Sequence, residues 1–226
     1  MFFLLLKISG LILQALLVIT LLLLVTGGLR LLAGWKKEYA NPVREAGILR
    51  KGDILLTGKQ SAGYSPFIQF ANVLTRKIKH RFWTHAAIYA GEGKVWEAQP
   101  SGIQERNLED YLQAGYYVRA FRHRYILEEP VLDEVIQFCA SKKGIAYDLR
   151  GAIFYGASIL IPVGFNFIFD NAAIDKFFHV EDTYFCSELV VEAFCAVGYP
   201  ISPFDGWRVK PTDFISNPLL SEVVVA

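Results

Sequence analysis

The chain has 226 residues, with 23 basic against 22 acidic side chains for a net charge of +1, and 53% of its residues are hydrophobic. It is too apolar to stay disordered and too evenly charged to be built for wrapping nucleic acid. Its length suits one domain plus an appendage.

The appendage comes first. From Ile8 to Leu29 no residue is charged, and LLVITLLLLV is almost pure Leu, Val and Ile. As a helix rising about 1.5 Å per residue, this stretch spans about 33 Å, enough for a hydrocarbon core of about 30 Å. Residues 1–34 therefore read as a single transmembrane anchor in a membrane, taken as a bacterial inner membrane. The competing reading, a cleaved signal peptide, needs a shorter apolar stretch and a clear small-residue cleavage site; Val25-Thr26-Gly27 is a weak one. Lys7 precedes the helix, while Arg30, Lys36, Lys37, Arg44, Arg50 and Lys51 follow it. The positive-inside rule then favours a cytoplasmic C-terminal domain, although folded domains can cross largely regardless of charge.

Residues 35–50 are a polar, Pro-containing connector, and a domain is expected over 51–226. Short apolar or alternating runs punctuated by Gly predict strands at Asp53 (DILLTG), His85 (HAAIYAG), Lys94 (KVWEAQP), Gly102 (GIQERNL) and Tyr116 (YYVRAF). After Pro130 the period becomes helical, with Val131, Leu132, Val135, Ile136, Cys139 and Ala140 in one stripe. A second helix begins near Cys186, turns Leu189, Val190, Ala193, Phe194 and Val197 inward, and ends at Gly198. Strands followed by helices predict an α+β fold. Between the two helices, residues 151–169 form a second charge-free run that contains Pro162 and three glycines. It reads as a buried or membrane-grazing insert; the alternative is a second crossing, which would divide His85 from Cys186.

Two local patterns carry chemistry. With Gly91-Glu92-Gly93 as a three-residue loop, Ala90 pairs with Lys94 and Ala87 lies opposite Glu97. His85 and Glu97 then become diagonal neighbours on one face, where a carboxylate can fix the imidazole tautomer and raise its basicity. A one-residue slip would put them on opposite faces. In the second pattern, Cys186 opens an amphipathic helix, whose unpaired N–H groups and dipole favour a thiolate and offer oxyanion donors. Cys139 and Cys195 lie inside helices and read as buried small hydrophobes. Three cysteines imply no disulfide scaffold, and no His, Cys, Asp and Glu spacing suits a metal.

THAAIYAG with Glu97 twelve residues after the histidine, then KKGIAYD, then YFCSELVVEAF, resembles the circularly permuted papain-like amidases of the NlpC superfamily, YaeF/YiiX branch. That family is related to the lecithin:retinol acyltransferase-like proteins. The resemblance covers residues 51 to about 216. It implies an antiparallel sheet or barrel with packed helices and a thiol hydrolase that cleaves an amide bond through an acyl-thioester. By the same resemblance Cys186 is the nucleophile, His85 the base and Glu97 the orienting residue, with Tyr147 and Ser187 as substrate or oxyanion contacts. No metal or organic cofactor is implied. The expected partners are the bilayer and a peptide, amide or acyl-ester substrate. A lipid-directed thioesterase or acyltransferase is the alternative, favoured by the anchor, the apolar insert and the basic cluster from Arg76 to Arg81. An inactive tethered binding module ranks below both.

Overall fold

In the computed structural model, described here for residue 43 and residues 46–59, 83–112, 116–149 and 183–224, six strands form one antiparallel sheet. They are β1 (Ile54–Lys59), β2 (His85–Gly91), β3 (Lys94–Gln99), β4 (Gly102–Asn107), β5 (Tyr116–His123) and β6 (Leu220–Val223). The spatial order is β4-β3-β2-β1-β5-β6. The first five are the predicted strands. The short edge strand β6 was not foreseen, because LSEV is only four residues long and has no Gly punctuation.

Side chains alternate across a sheet, and here both faces are buried, which is why the central strands read as nearly continuous apolar runs. On one face Ile54, Leu56, Ala86, Ile88 and Trp96 pack against two helices, α2 (Glu129–Ser141) and α3 (Cys186–Ala196), through Val135, Cys139, Leu189 and Phe194. On the other face Leu55, Ala87, Tyr89, Val95 and Val118 pack against Val43, Leu49 and Tyr111, the last from the short helix α1 (Glu109–Leu112). The fold therefore reaches back into the segment expected to be a connector: Val43 and Leu49 are buried, and the Val43 N–H donates to the Val118 carbonyl.

The hairpin between β2 and β3 sets the register of the site. Ile88 pairs with Trp96 and Tyr89 with Val95, as predicted, so Ala87 falls opposite Glu97. The turn differs from the expected three-residue loop: Gly91 pairs with Lys94 across a bulge, and Glu92 and Gly93 form the turn with φ of 51° and 71°. Positive φ at both central residues matches the right-handed strand twist, and the bulge absorbs the extra residue without shifting the strands below it.

α3 carries its stop signal as expected. Gly198 has φ of 80°, its N–H donates to Cys195, and Tyr199 donates to Phe194, the two bonds of a Schellman ending. Leu189, Val190, Ala193 and Phe194 are buried, but Cys195 is exposed rather than packed inside. The inward stripe is narrower than the run of apolar residues, and Cys195 lies just outside it.

Among the described residues no helix is long and apolar enough to cross a membrane. The expected anchor over 1–34, the insert over 151–169 and the basic residues 76–81 lie outside the described residues.

Candidate functional site

Tyr147 and Tyr184 form an isolated parallel bridge. Tyr184 donates to the Ala146 carbonyl at 3.4 Å and Asp148 to that of Tyr184 at 3.1 Å. The next residue, Phe185, is still extended, with φ of −100° and ψ of 173°, and the helix begins at Cys186. The first helical donors have no carbonyl one turn back. One is satisfied by Glu188, whose Oε2 accepts the Phe185 N–H at 3.2 Å, the returning half of a capping box. Cys186 is thus fixed at the first turn of a buried helix and is itself buried.

The imidazole of His85, the first residue of β2, meets both partners expected of it. Its Nε2 lies 2.7 Å from Glu97 Oε2, and the ring also hydrogen-bonds Cys186. With Nε2 engaged by Glu97, Nδ1 is the nitrogen left for the sulfur. Burial by itself would depress His85. The Cys186 sulfur and the Glu97 carboxylate beside the ring more than offset this, and the group is pushed up to about 10. Glu97 shows the mirror image: burial would raise it, but His85 and then Arg106 hold it below its ordinary value. The arrangement favours the imidazolium form of His85.

Glu97 is fully buried and is held by more than the histidine. Tyr111 donates its hydroxyl to Oε2, the oxygen facing His85. On Oε1, Gln104 Nε2 lies at 3.3 Å and Arg106 Nη1 at 3.5 Å. The Tyr111 ring also stacks on His85, with centroids 6.3 Å apart, and Arg106 lies over that ring at 5.4 Å. A carboxylate accepts up to four hydrogen bonds, so the cage leaves Glu97 few free lone pairs.

Gln104, Arg106 and Tyr111 were missed by sequence reasoning. Two of them were accessible to it, because β3 and β4 are joined by the short turn Pro100-Ser101 and Glu97 pairs directly with Gln104. Alternation then places Arg106 on the same face. Tyr111 comes from α1, a helix of four residues with no periodic signal.

Of the two further expected contacts, the bridge with Tyr184 brings Tyr147 beside the segment that leads into Cys186. The side chain of Ser187 is engaged elsewhere. It is fully buried, and its hydroxyl donates to the Val209 carbonyl at 2.5 Å, which ties α3 to the closing segment. One helical step of about 100° turns it away from the face that carries Cys186. Cys139 is buried in α2, where desolvation pushes its thiol up to about 12 and keeps it protonated. Among the described residues no group of three or more His, Cys, Asp and Glu side chains is arranged to hold a metal ion.

No family model and no curated protein matches the chain. Among solved structures, the chain is similar to the crystal structure of metalloprotein yiiX from Escherichia coli O157:H7, with a TM-score of 0.53 and 16% sequence identity over 78% of this chain and 97% of that one. At that identity the likeness shows the fold alone, so the six-stranded antiparallel sheet with its few helices is a YiiX-like α+β fold.

Proposed function

We propose that the chain is a thiol hydrolase that cleaves an amide bond, with Cys186 as nucleophile, His85 as base and then acid, and Glu97 as the group that orients His85. One observation carries the reading: a partly buried imidazole held at 2.7 Å by a caged carboxylate and hydrogen-bonded to a cysteine at a helix start. A structural histidine needs one partner, whereas this one is held on both sides.

The proposed steps use these groups alone. With the thiol proton already resting on His85, the Cys186 sulfur attacks the carbonyl carbon, placing a negative charge on its oxygen near the first N–H groups of α3. The C–N bond then breaks as the imidazolium gives its proton to the departing amine, leaving a thioester. Water, losing a proton to His85, adds to the thioester, and the sulfur leaves to recover that proton. Glu97 remains ionised throughout, holding the Nε2–H and stabilising each imidazolium.

The structural neighbour is described as a metalloprotein. The described donors here do not fit a metal: Cys186 and His85 provide two ligands, and the oxygens of Glu97 are already taken by Tyr111, Gln104, Arg106 and His85. No step is routed through one.

A second reading, a thioesterase or acyltransferase acting on lipid, is favoured by a separate observation. Tyr147 and Tyr184, the bridged residues beside the start of α3, flank the charge-free run 151–169 in the sequence. An apolar stretch of that kind suits an acyl chain. In either reading we place the protein at a membrane through residues 1–34.

Turnover of a panel of acyl donors by the full chain and by Cys186→Ala separates the readings. Release of amine from peptide amides that is lost in Cys186→Ala supports the amidase. Acyl release from phospholipid with no amide cleavage supports the second reading. Turnover that survives in Cys186→Ala overturns both.

A further inference from the structure

At the end of the sheet away from His85, a cavity of about 240 Å³ opens between the start of β1, the end of β5 and the flanks of α2 and α3. Its basic wall holds Arg50, Lys51, Arg122 and Arg124, and its apolar wall includes Leu132 and Phe194. Two of the four cations are already committed. Arg122 forms a two-pronged pair with the buried Asp53, both contacts at 2.7 Å, and Lys51 is paired with Glu129 and Asp133. The other two carry donors that no carboxylate among the described residues takes. Arg124 uses only Nε, on the Leu220 carbonyl at 3.0 Å, and the Arg50 side chain is exposed at the rim.

His123 supplies a neutral donor in the same wall. Its Nδ1 accepts the Tyr125 N–H at 3.1 Å, which leaves the proton on Nε2. Burial keeps this ring below its ordinary value and therefore uncharged near neutrality. Directly after it, Tyr125 is 63% exposed and Ile126 is 99% exposed. A fully exposed isoleucine beside exposed guanidiniums and an exposed tyrosine is the composition of an interfacial anchor.

We propose that this cavity binds the headgroup of an anionic phospholipid, with Arg50 and Arg124 on the phosphate and Tyr125 and Ile126 inserted among the neighbouring lipids. The volume, about eight water molecules at about 30 Å³ each, suits a phosphate with a few attached carbons and not an entire lipid. A free anion would use the guanidiniums but would give Ile126 no apolar surroundings, and for that reason the proposal commits to lipid. It is independent of the thiol chemistry at the other end of the sheet.

The test uses the full chain in lipid nanodiscs and reads hydrogen–deuterium exchange over residues 120–128. Discs of phosphatidylcholine with about a third phosphatidylglycerol are expected to protect Arg122–Leu127 relative to pure phosphatidylcholine discs. Arg50→Glu, whose exposed side chain makes no contact that folding needs, is expected to reduce the protection about fivefold, and Arg50→Glu with Arg124→Glu about 25-fold. Inorganic phosphate added to phosphatidylcholine discs is expected to leave exchange unchanged. Equal protection in both discs, protection retained in Arg50→Glu, or protection reproduced by inorganic phosphate alone would overturn the proposal.

Discussion

Glu188 sits two residues past Cys186, is buried, and has its acid pushed up to about 8. Burial is the main cause; the Phe185 N–H works against it, and the carboxylates of Asp148 and Glu192 add to it. In the unfolded chain the same acid titrates near 4.5. For an acid raised by folding, the folded state binds the extra proton, so ionisation costs nothing below about 4.5 and the cost is complete above about 8. The interval, at about 1.4 kcal/mol per pH unit, amounts to about 5 kcal/mol. Glu188→Gln keeps an oxygen for the Phe185 N–H and cannot ionise. It is expected to match wild type near pH 4.5 and to be more stable by about 3–5 kcal/mol at pH 8.5, a shift of about 10 °C for a domain of this size. Thermal unfolding of the full chain in detergent, followed by tryptophan fluorescence at both values, measures this. A difference independent of pH, or a loss of stability at pH 8.5, would refute the reasoning.

Two more outcomes follow from the cage around Glu97, and a third from the bond between Ser187 and Val209. Glu97→Gln is not a quiet replacement, because donors point at both carboxylate oxygens. Either orientation of the amide turns its NH₂ toward two of them, at a cost of about 1–3 kcal/mol for each stranded group. With the counter-charge gone, burial pulls His85 back down, so its imidazolium ¹⁵N signal, expected to persist to about pH 10 in wild type, should disappear at a lower pH in the variant. Tyr111→Phe removes one charge-assisted hydrogen bond, worth about 1.5–3 kcal/mol, and should lower the melting temperature by about 4–8 °C while His85 still titrates above its ordinary value. Ser187→Ala cuts the tie to Val209 and should cost about 1–3 kcal/mol in unfolding experiments, with no change in the reactivity of Cys186.

The parts of the site legible in the sequence are those that follow from local rules. His85 and Glu97 belong to one hairpin, and the period of two places them together once the turn is located; the turn itself was misjudged by one residue, and the bulge near Gly91 left the pairing below intact. Cys186 was readable because a helix must start where Thr183 to Phe185 run out and the apolar stripe begins. Arg106 required a second register, across β3 and β4, to be carried through in the same way. Tyr111 and the buried Val43 depend on what packs against the far face of the sheet, a tertiary matter that no local pattern announces. The Ser187 hydroxyl turns to Val209 because adjacency in sequence does not mean a shared face on a helix. Cys195 was misread because an apolar neighbourhood in sequence is wider than the stripe a helix buries.

The most direct measurement of the central claim sets Cys186 against Cys195. Cys195 is exposed and Cys186 is buried, so accessibility alone favours alkylation of Cys195. Mapping a mild haloacetamide adduct by peptide mass at about pH 6, where an ordinary thiol is almost wholly protonated, isolates the effect of the imidazolium partner. The account predicts that modification falls on Cys186 and that His85→Ala abolishes it. Modification at Cys195 first, or at Cys186 undiminished in His85→Ala, would contradict the proposed nucleophile and base.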